Sequence, residues 1–153
     1  MRIYKIFKKI SFGDKKRLLG TLGEDEAVKF LKRNGYRILE RNYKSRLGEI
    51  DIIAKEDGAI CFIEVKTRSS QNFGVPQDAL TKTKRHQLSK MALGYLKHKR
   101  LHDCKTRFDV VSIKVYPVRD TVSRCDISNR VNDAKKKDVE IIKNAFEMEG
   151  AYT

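Results

Sequence analysis

The sequence predicts a single α/β domain in which four strands are flanked by helices. Three observations carry that reading. The chain has 153 residues, enough for one domain with a real core. Two runs rich in Ile, Val and Phe flank Lys55-Glu56-Asp57-Gly58, and Asp57-Gly58 is a turn signal, so residues 47–68 read as a β-hairpin. Apolar residues at helical spacing recur before the hairpin, after it and near the end of the chain. The order is then helix, three strands, helix, strand, helix.

Residues 1–19 form a basic extension. Ile3, Ile6, Phe7 and Ile10 fall at helical spacing among Lys5, Lys8 and Lys9, but the lysines leave no secretory core. That spacing suits a basic amphipathic helix on a membrane or nucleic acid. The plainer reading, a loosely held end, is favoured. The first helix spans 20–34, with Ala27, Val28 and Leu31 as its stripe and Asn34-Gly35 as its stop. Glu24 shares the stripe. It is either a first-turn acid favoured by the helix dipole or an acid aimed at the hairpin. Residues 36–43 make the first strand, and the hairpin supplies the next two. Residues 67–76, with Arg68, Gly74 and Pro76, are loop. The second helix runs from Asp78 to Lys99 on Leu80, Leu88, Met91, Ala92, Tyr95 and Leu96. Lys84 lies on the same stripe and either snorkels outward or reaches a phosphate. Arg107 to Val115 is a fourth strand, carrying Asp109. Residues 117–137 read as a solvated polar loop. A last helix covers Val139 to Met148, with Val139, Ile142 and Phe146 buried, and 149–153 is a tail.

The hairpin carries acids where a core should be. If residues 55–58 form its loop, Ala54 faces Ala59, and Asp51 lies opposite Phe62 and diagonal to Glu64. Alternation then puts Glu49, Asp51, Glu64 and Lys66 on one face. Diagonal partners are roughly 7–8 Å apart at the backbone, so one divalent cation could touch two carboxylates. A one-residue slip of register would end the idea. The plain alternative is a half-exposed hairpin with a polar outer face. Against it, Ala59 to Val65 is apolar on both faces except at Glu64, and charges in such a covered strand are costly unless paired or metal-bound.

Composition narrows the partners. Lys and Arg total 34 against 20 acids, a net charge of +14, which points to a polyanion. Cys61, Cys104 and Cys125 are odd in number and far apart, with no Cys-x-x-Cys, so no zinc knuckle or disulfide framework is supported and a reducing cytoplasm fits. No apolar run approaches a membrane span. His86, His98 and His102 read as surface residues. No phosphate-cradling glycine loop and no Ser/His/Asp constellation is present.

Gly48-Glu49-Ile50-Asp51, Ile63-Glu64-Val65-Lys66-Thr67-Arg68 and Arg107-Phe108-Asp109-Val110-Val111 together resemble the YraN family of bacterial proteins. Gly23-Glu24, Phe73-Gly74 with Pro76, and Asn144-Ala145-Phe146 match as well. That family is similar to the Holliday-junction-resolvase branch of the restriction-endonuclease-like nucleases. The resemblance covers about residues 20–148. It implies a restriction-endonuclease-like α/β domain with a central mixed four-stranded sheet flanked by helices. It also implies Asp51 and Glu64 as metal ligands, Lys66 as the catalytic lysine and Glu24 as an accessory acid. The expected activity is metal-dependent endonucleolytic hydrolysis of phosphodiester bonds in DNA, branched or single-stranded. Magnesium or manganese is the expected cofactor, because magnesium needs only one or two protein carboxylates. Glu49 is a secondary candidate. Arg68, Lys84 and Arg85 are candidates for nucleic-acid contact, which carries no sequence information when made to phosphate. A second copy of the chain is a further expected partner. The alternative function is a non-cleaving nucleic-acid-binding protein on the same fold. A membrane or protein adaptor leaves the acids unexplained.

Overall fold

A computed structural model describes residues 12–69, 80–115 and 137–150 of the chain. Residues 1–11 of the basic extension, the segment with Phe73, Gly74 and Pro76, most of the 117–137 loop and the last three residues lie outside the described residues. Seven elements follow one another: helix α1 (Phe12–Arg33), strands β1 (Arg37–Ser45), β2 (Gly48–Glu56) and β3 (Ala59–Ser69), helix α2 (Lys82–His98), and strands β4 (Thr106–Val115) and β5 (Lys137–Phe146). The strands form one mixed sheet in sequence order. β1, β2 and β3 are antiparallel neighbours, β3 and β4 are parallel with α2 as the crossover, and β5 returns antiparallel to β4. This is a mixed α/β domain compatible with the restriction-endonuclease-like fold, with five strands where four were expected.

The two helices cover opposite faces. Ala27, Val28 and Leu31 of α1 pack with Ile52, Ala54, Cys61, Ile63, Val111 and Ile113. Leu88, Met91, Ala92, Tyr95 and Leu96 of α2 pack with Ile53, Ile60, Phe62, Phe108, Val110 and Phe146. A sheet buried on both faces explains why β3 has no regular polar alternation before Glu64. α2 starts at Thr81, whose hydroxyl accepts the Lys84 N–H at 3.2 Å, rather than at Asp78. α1 begins at Phe12, eight residues before the expected start at 20.

Two further expectations need correction. The hairpin loop is the two residues Asp57-Gly58, with φ of 47° and 76°, not the four residues 55–58. Positive φ at both positions is the tight turn that matches strand twist, and Asp-Gly is its preferred sequence. Glu56 therefore faces Ala59, and Ile52 faces Ile63. The register moves by two residues, so the side-chain faces are preserved. The second correction is at 139–148, where the chain forms β5 and not a helix. Val139, Ile142 and Phe146 have helical spacing, but Val139 and Ile141 sit opposite Ile113 and Val111 on the α1 side. Ile142 and Phe146 face the α2 side, opposite Val110 and Phe108. Alternation fills both faces, and a bulge interrupts the ladder between Ile142 and Phe146: Asn144 takes a φ of 52°, and its N–H donates to buried Asp109 Oδ1 at 2.9 Å. Pairing with β4 satisfies a strand edge that a helix would have left open.

Candidate active site

β2 and β3 pair from the turn as far as Ile52 and Ile63, where the ladder stops. The next residues on the two strands are Asp51 and Glu64, so the corrected register sets them opposite rather than diagonal. Asp51 replaces the missing ladder bond: its Oδ2 accepts the Val65 N–H at 2.7 Å. Strand alternation also breaks here. Ile52 and Ala54 pack toward α1, Ile53 toward α2, and Ile50 toward α2 again, so the irregularity falls at Asp51. Two carboxylates thus stand at the point where two central strands part.

Glu64 is 7% exposed. By alternation it faces the α2 side with Phe62. Its Oε1 accepts from Lys66 Nζ at 2.7 Å, and Lys84 Nζ of α2 stands 3.5 Å from Oε2. No hydrogen bond reaches buried Oε2 among the described residues. Leaving one oxygen of a buried carboxylate without a hydrogen bond is costly. Burial pushes the Asp51 carboxyl up to about 7; the neighbouring Glu64 and Glu24 carboxylates push the same way, and the Val65 N–H and Lys84 oppose them.

Glu24 and Glu49 form a second acidic pair beside Asp51. Asn42 of β1 joins them, donating to Glu49 Oε1 and to Glu24 Oε2 at 3.0 Å each with its amide nitrogen turned inward. Glu49 also lies 3.9 Å from Lys44 Nζ. Its bonds therefore run to β1 and not to the Glu64–Lys66 pair, because the break at Asp51 takes it off their face. Glu24 is brought there by a close approach of α1 to β3. A Cβ on Gly23 would run into the Thr67 side chain, so only glycine lets the helix lie this near. Of the three expected nucleic-acid contacts, Lys84 reaches Glu64. Arg85 donates from Nε to the Leu80 carbonyl at 3.0 Å, and Arg68 lies half-buried further along β3.

The acids fit a divalent cation in kind: they are hard oxygen donors, one has a buried oxygen that accepts no hydrogen bond, and burial together with the neighbouring carboxylates raises the Asp51 pKa. No group of three or more His, Cys, Asp or Glu side chains converges to hold a metal among the described residues. Two protein carboxylates are what magnesium commonly uses. Asn42 and the buried Asp109 cluster were missed by sequence reasoning. Asp109 accepts from Arg107 Nε, Tyr36 Oη and the Asn144 N–H; Arg107 also pairs with Glu56, which binds Lys143. That cluster sits at the turn end of the hairpin, away from Asp51, and ties β1, β4 and β5 together.

Residues 23–113 match the family described as Uncharacterised protein family UPF0102, a span that holds every site residue named above. The chain is 44% identical over 131 residues to a UPF0102 protein of Trichlorobacter lovleyi, covering 85% of this chain and 91% of that one. It is 44% identical to one of Caldicellulosiruptor saccharolyticus, over 86% of this chain and 98% of the relative. A Geobacter metallireducens relative is 52% identical over 62% of this chain and 78% of its own length. No helix among the described residues is long and apolar enough to cross a membrane.

Proposed function

From the premise that this chain belongs to the UPF0102 (YraN) family, we propose that it is a metal-dependent endonuclease acting on DNA phosphodiester bonds. The observation that carries the reading is Glu64: a buried carboxylate opposite Asp51, with one oxygen on Lys66 and the other without a hydrogen bond. Asp51 and Glu64 would hold magnesium or manganese. When bound, such an ion supplies an activated water and neutralises charge on the phosphate.

The chain's own residues do the rest. Lys66 Nζ lies at the edge of the acid pair, where it can stabilise charge that builds on a phosphate during cleavage. Lys84 can do the same from the helix side or hold the phosphate in place. Asp51 keeps the two strands parted while capping the Val65 N–H. Arg68, Arg85 and the wider excess of lysine and arginine, part of a net +14, attract and seat the polyanion without reading its sequence.

A second reading has its own observation. Lys66 and Lys84 both lie on Glu64, so the carboxylate has counter-charge without a cation, as a non-cleaving nucleic-acid binder would need. Incubation with duplex, single-stranded and four-way DNA in magnesium or manganese separates the two. The nuclease reading expects cuts in at least one substrate, abolished by chelator and by Asp51→Asn. Binding without any cut, with either metal, would favour the binder.

A further inference from the structure

We propose that Asn42 is a positioning residue that holds Glu24 beside Asp51 and so sets how tightly the acidic cleft takes a divalent cation. The inference rests on the function proposed above, and it assigns a role to a residue outside the three sequence motifs of the site.

The backbone comes first. Arg41 is paired with Ile52 and Tyr43 with Ile50, so Asn42 falls across from Asp51. Its φ is 52°, a left-handed conformation that asparagine adopts more readily than other side-chain-bearing residues. The distortion in β1 thus faces the break of alternation in β2. Both irregularities are centred on the same carboxylate.

The side chain follows. An amide nitrogen carries two N–H donors and no acceptor, and Asn42 uses them on Glu24 Oε2 and Glu49 Oε1 at 3.0 Å each. The opposite orientation would set its oxygen against two carboxylates, which fixes the assignment. Glu24 comes from α1 and Glu49 from β2, so one neutral group joins two elements. Without it, two like charges would face each other and separate. A lysine here would join them too, but would cancel the negative charge that draws a cation in. An amide adds none.

Docking of α1 has a separate anchor. Arg41 binds Asp25 at 2.7 Å, one residue along on both elements. Loss of the Asn42 amide therefore frees Glu24 while the helix stays in place.

Calorimetric titration with Mn2+ and thermal melting test this on four proteins: native, Asn42→Gly, Glu24→Gln and the double variant. Glycine allows the same left-handed backbone and removes the side chain that carries the amide. The expected result is a melting temperature within a few degrees of native and Mn2+ binding weakened about tenfold, as for groups that act behind the ligands. Glu24→Gln should weaken binding similarly, and the double variant should be no weaker than Glu24→Gln alone, because Asn42 acts through Glu24. Unchanged affinity in Asn42→Gly, or additive losses in the double variant, would overturn the inference while native binding stands. A melting temperature lowered by more than about 10 °C would make Asn42 a structural residue and overturn it too. Absence of Mn2+ binding by the native protein would remove both this inference and the function beneath it.

Discussion

At the scale of single residues, the site depends on where one carboxylate stands in a ladder. The Ile-rich runs and Asp57-Gly58 made the hairpin legible, and the parity of its faces with it. The exact loop length was not legible, because Lys55-Glu56 reads equally well as strand or turn. The two-residue shift mattered little, since parity survives it. Asn42 was illegible for a different reason: its role arises from a left-handed backbone and from partners 18 residues upstream in α1 and seven residues downstream in β2. Asp51 gives a residue-scale prediction. Burial pushes its carboxyl up to about 7, from about 3.8 for an ordinary aspartate, so the protonated form is favoured by folding. The benefit is complete below about pH 4 and is lost as pH rises through about 7. In chelator, the stability of Asp51→Asn relative to native should rise between pH 5 and pH 8, by on the order of 2 kcal/mol after allowing for screening. Equal differences at both pH values, read by chemical denaturation, would contradict the burial of that charge.

At the scale of elements, both helices were legible from their stripes, and every apolar residue expected on them is buried. β5 was not. A strand with apolar residues on both faces scatters its apolar positions as a helix does, and Val139, Ile142 and Phe146 are the result. The signal that could have found it is the need of β4 for a partner on its open edge. Asp109 holds that edge, joining Arg107, Tyr36 and the bulge amide of Asn144. Asp109→Ala strips partners from a half-buried guanidinium, the Tyr36 hydroxyl and the bulge amide of Asn144, and should cost about 3 kcal/mol in denaturant unfolding. A loss under about 0.5 kcal/mol would mean that the cluster does not anchor β5. The approach of α1 to β3 gives a second prediction. Gly23→Ala places a methyl against Thr67, whose own Cβ would be 3.3 Å away, so rotation of Thr67 relieves only part of the clash. Overpacking should outweigh the helix propensity gained and cost about 1 kcal/mol. Adding Thr67→Ala should recover most of it; a Gly23→Ala protein as stable as native would show that the helix has room to move.

At the scale of the whole molecule, a chain with a net charge of +14 carries a small cluster of acids where two central strands part. The charge was legible from composition, and the acids from three short motifs. Their meeting at one end of the sheet required the fold. Binding to duplex DNA should weaken steeply with salt, with a log–log slope of about −0.9 for each phosphate contacted. A flat dependence would argue against phosphate-driven binding. The acids distinguish an enzyme from a binder, and Lys66 is where the distinction can be measured. Lys66 Nζ sits 2.7 Å from Glu64 Oε1, beside the proposed cation and phosphate, and in that reading many other lysines and arginines would share the holding of the polyanion. Lys66→Met keeps much of the stem and removes the charge. The most direct measurement is therefore DNA affinity and single-turnover cleavage rate, taken together on Lys66→Met and on the native protein with manganese. The account expects affinity nearly unchanged and cleavage slower by on the order of a hundredfold or more. Equal cleavage rates, or a native protein that cuts no DNA with either metal, would contradict it.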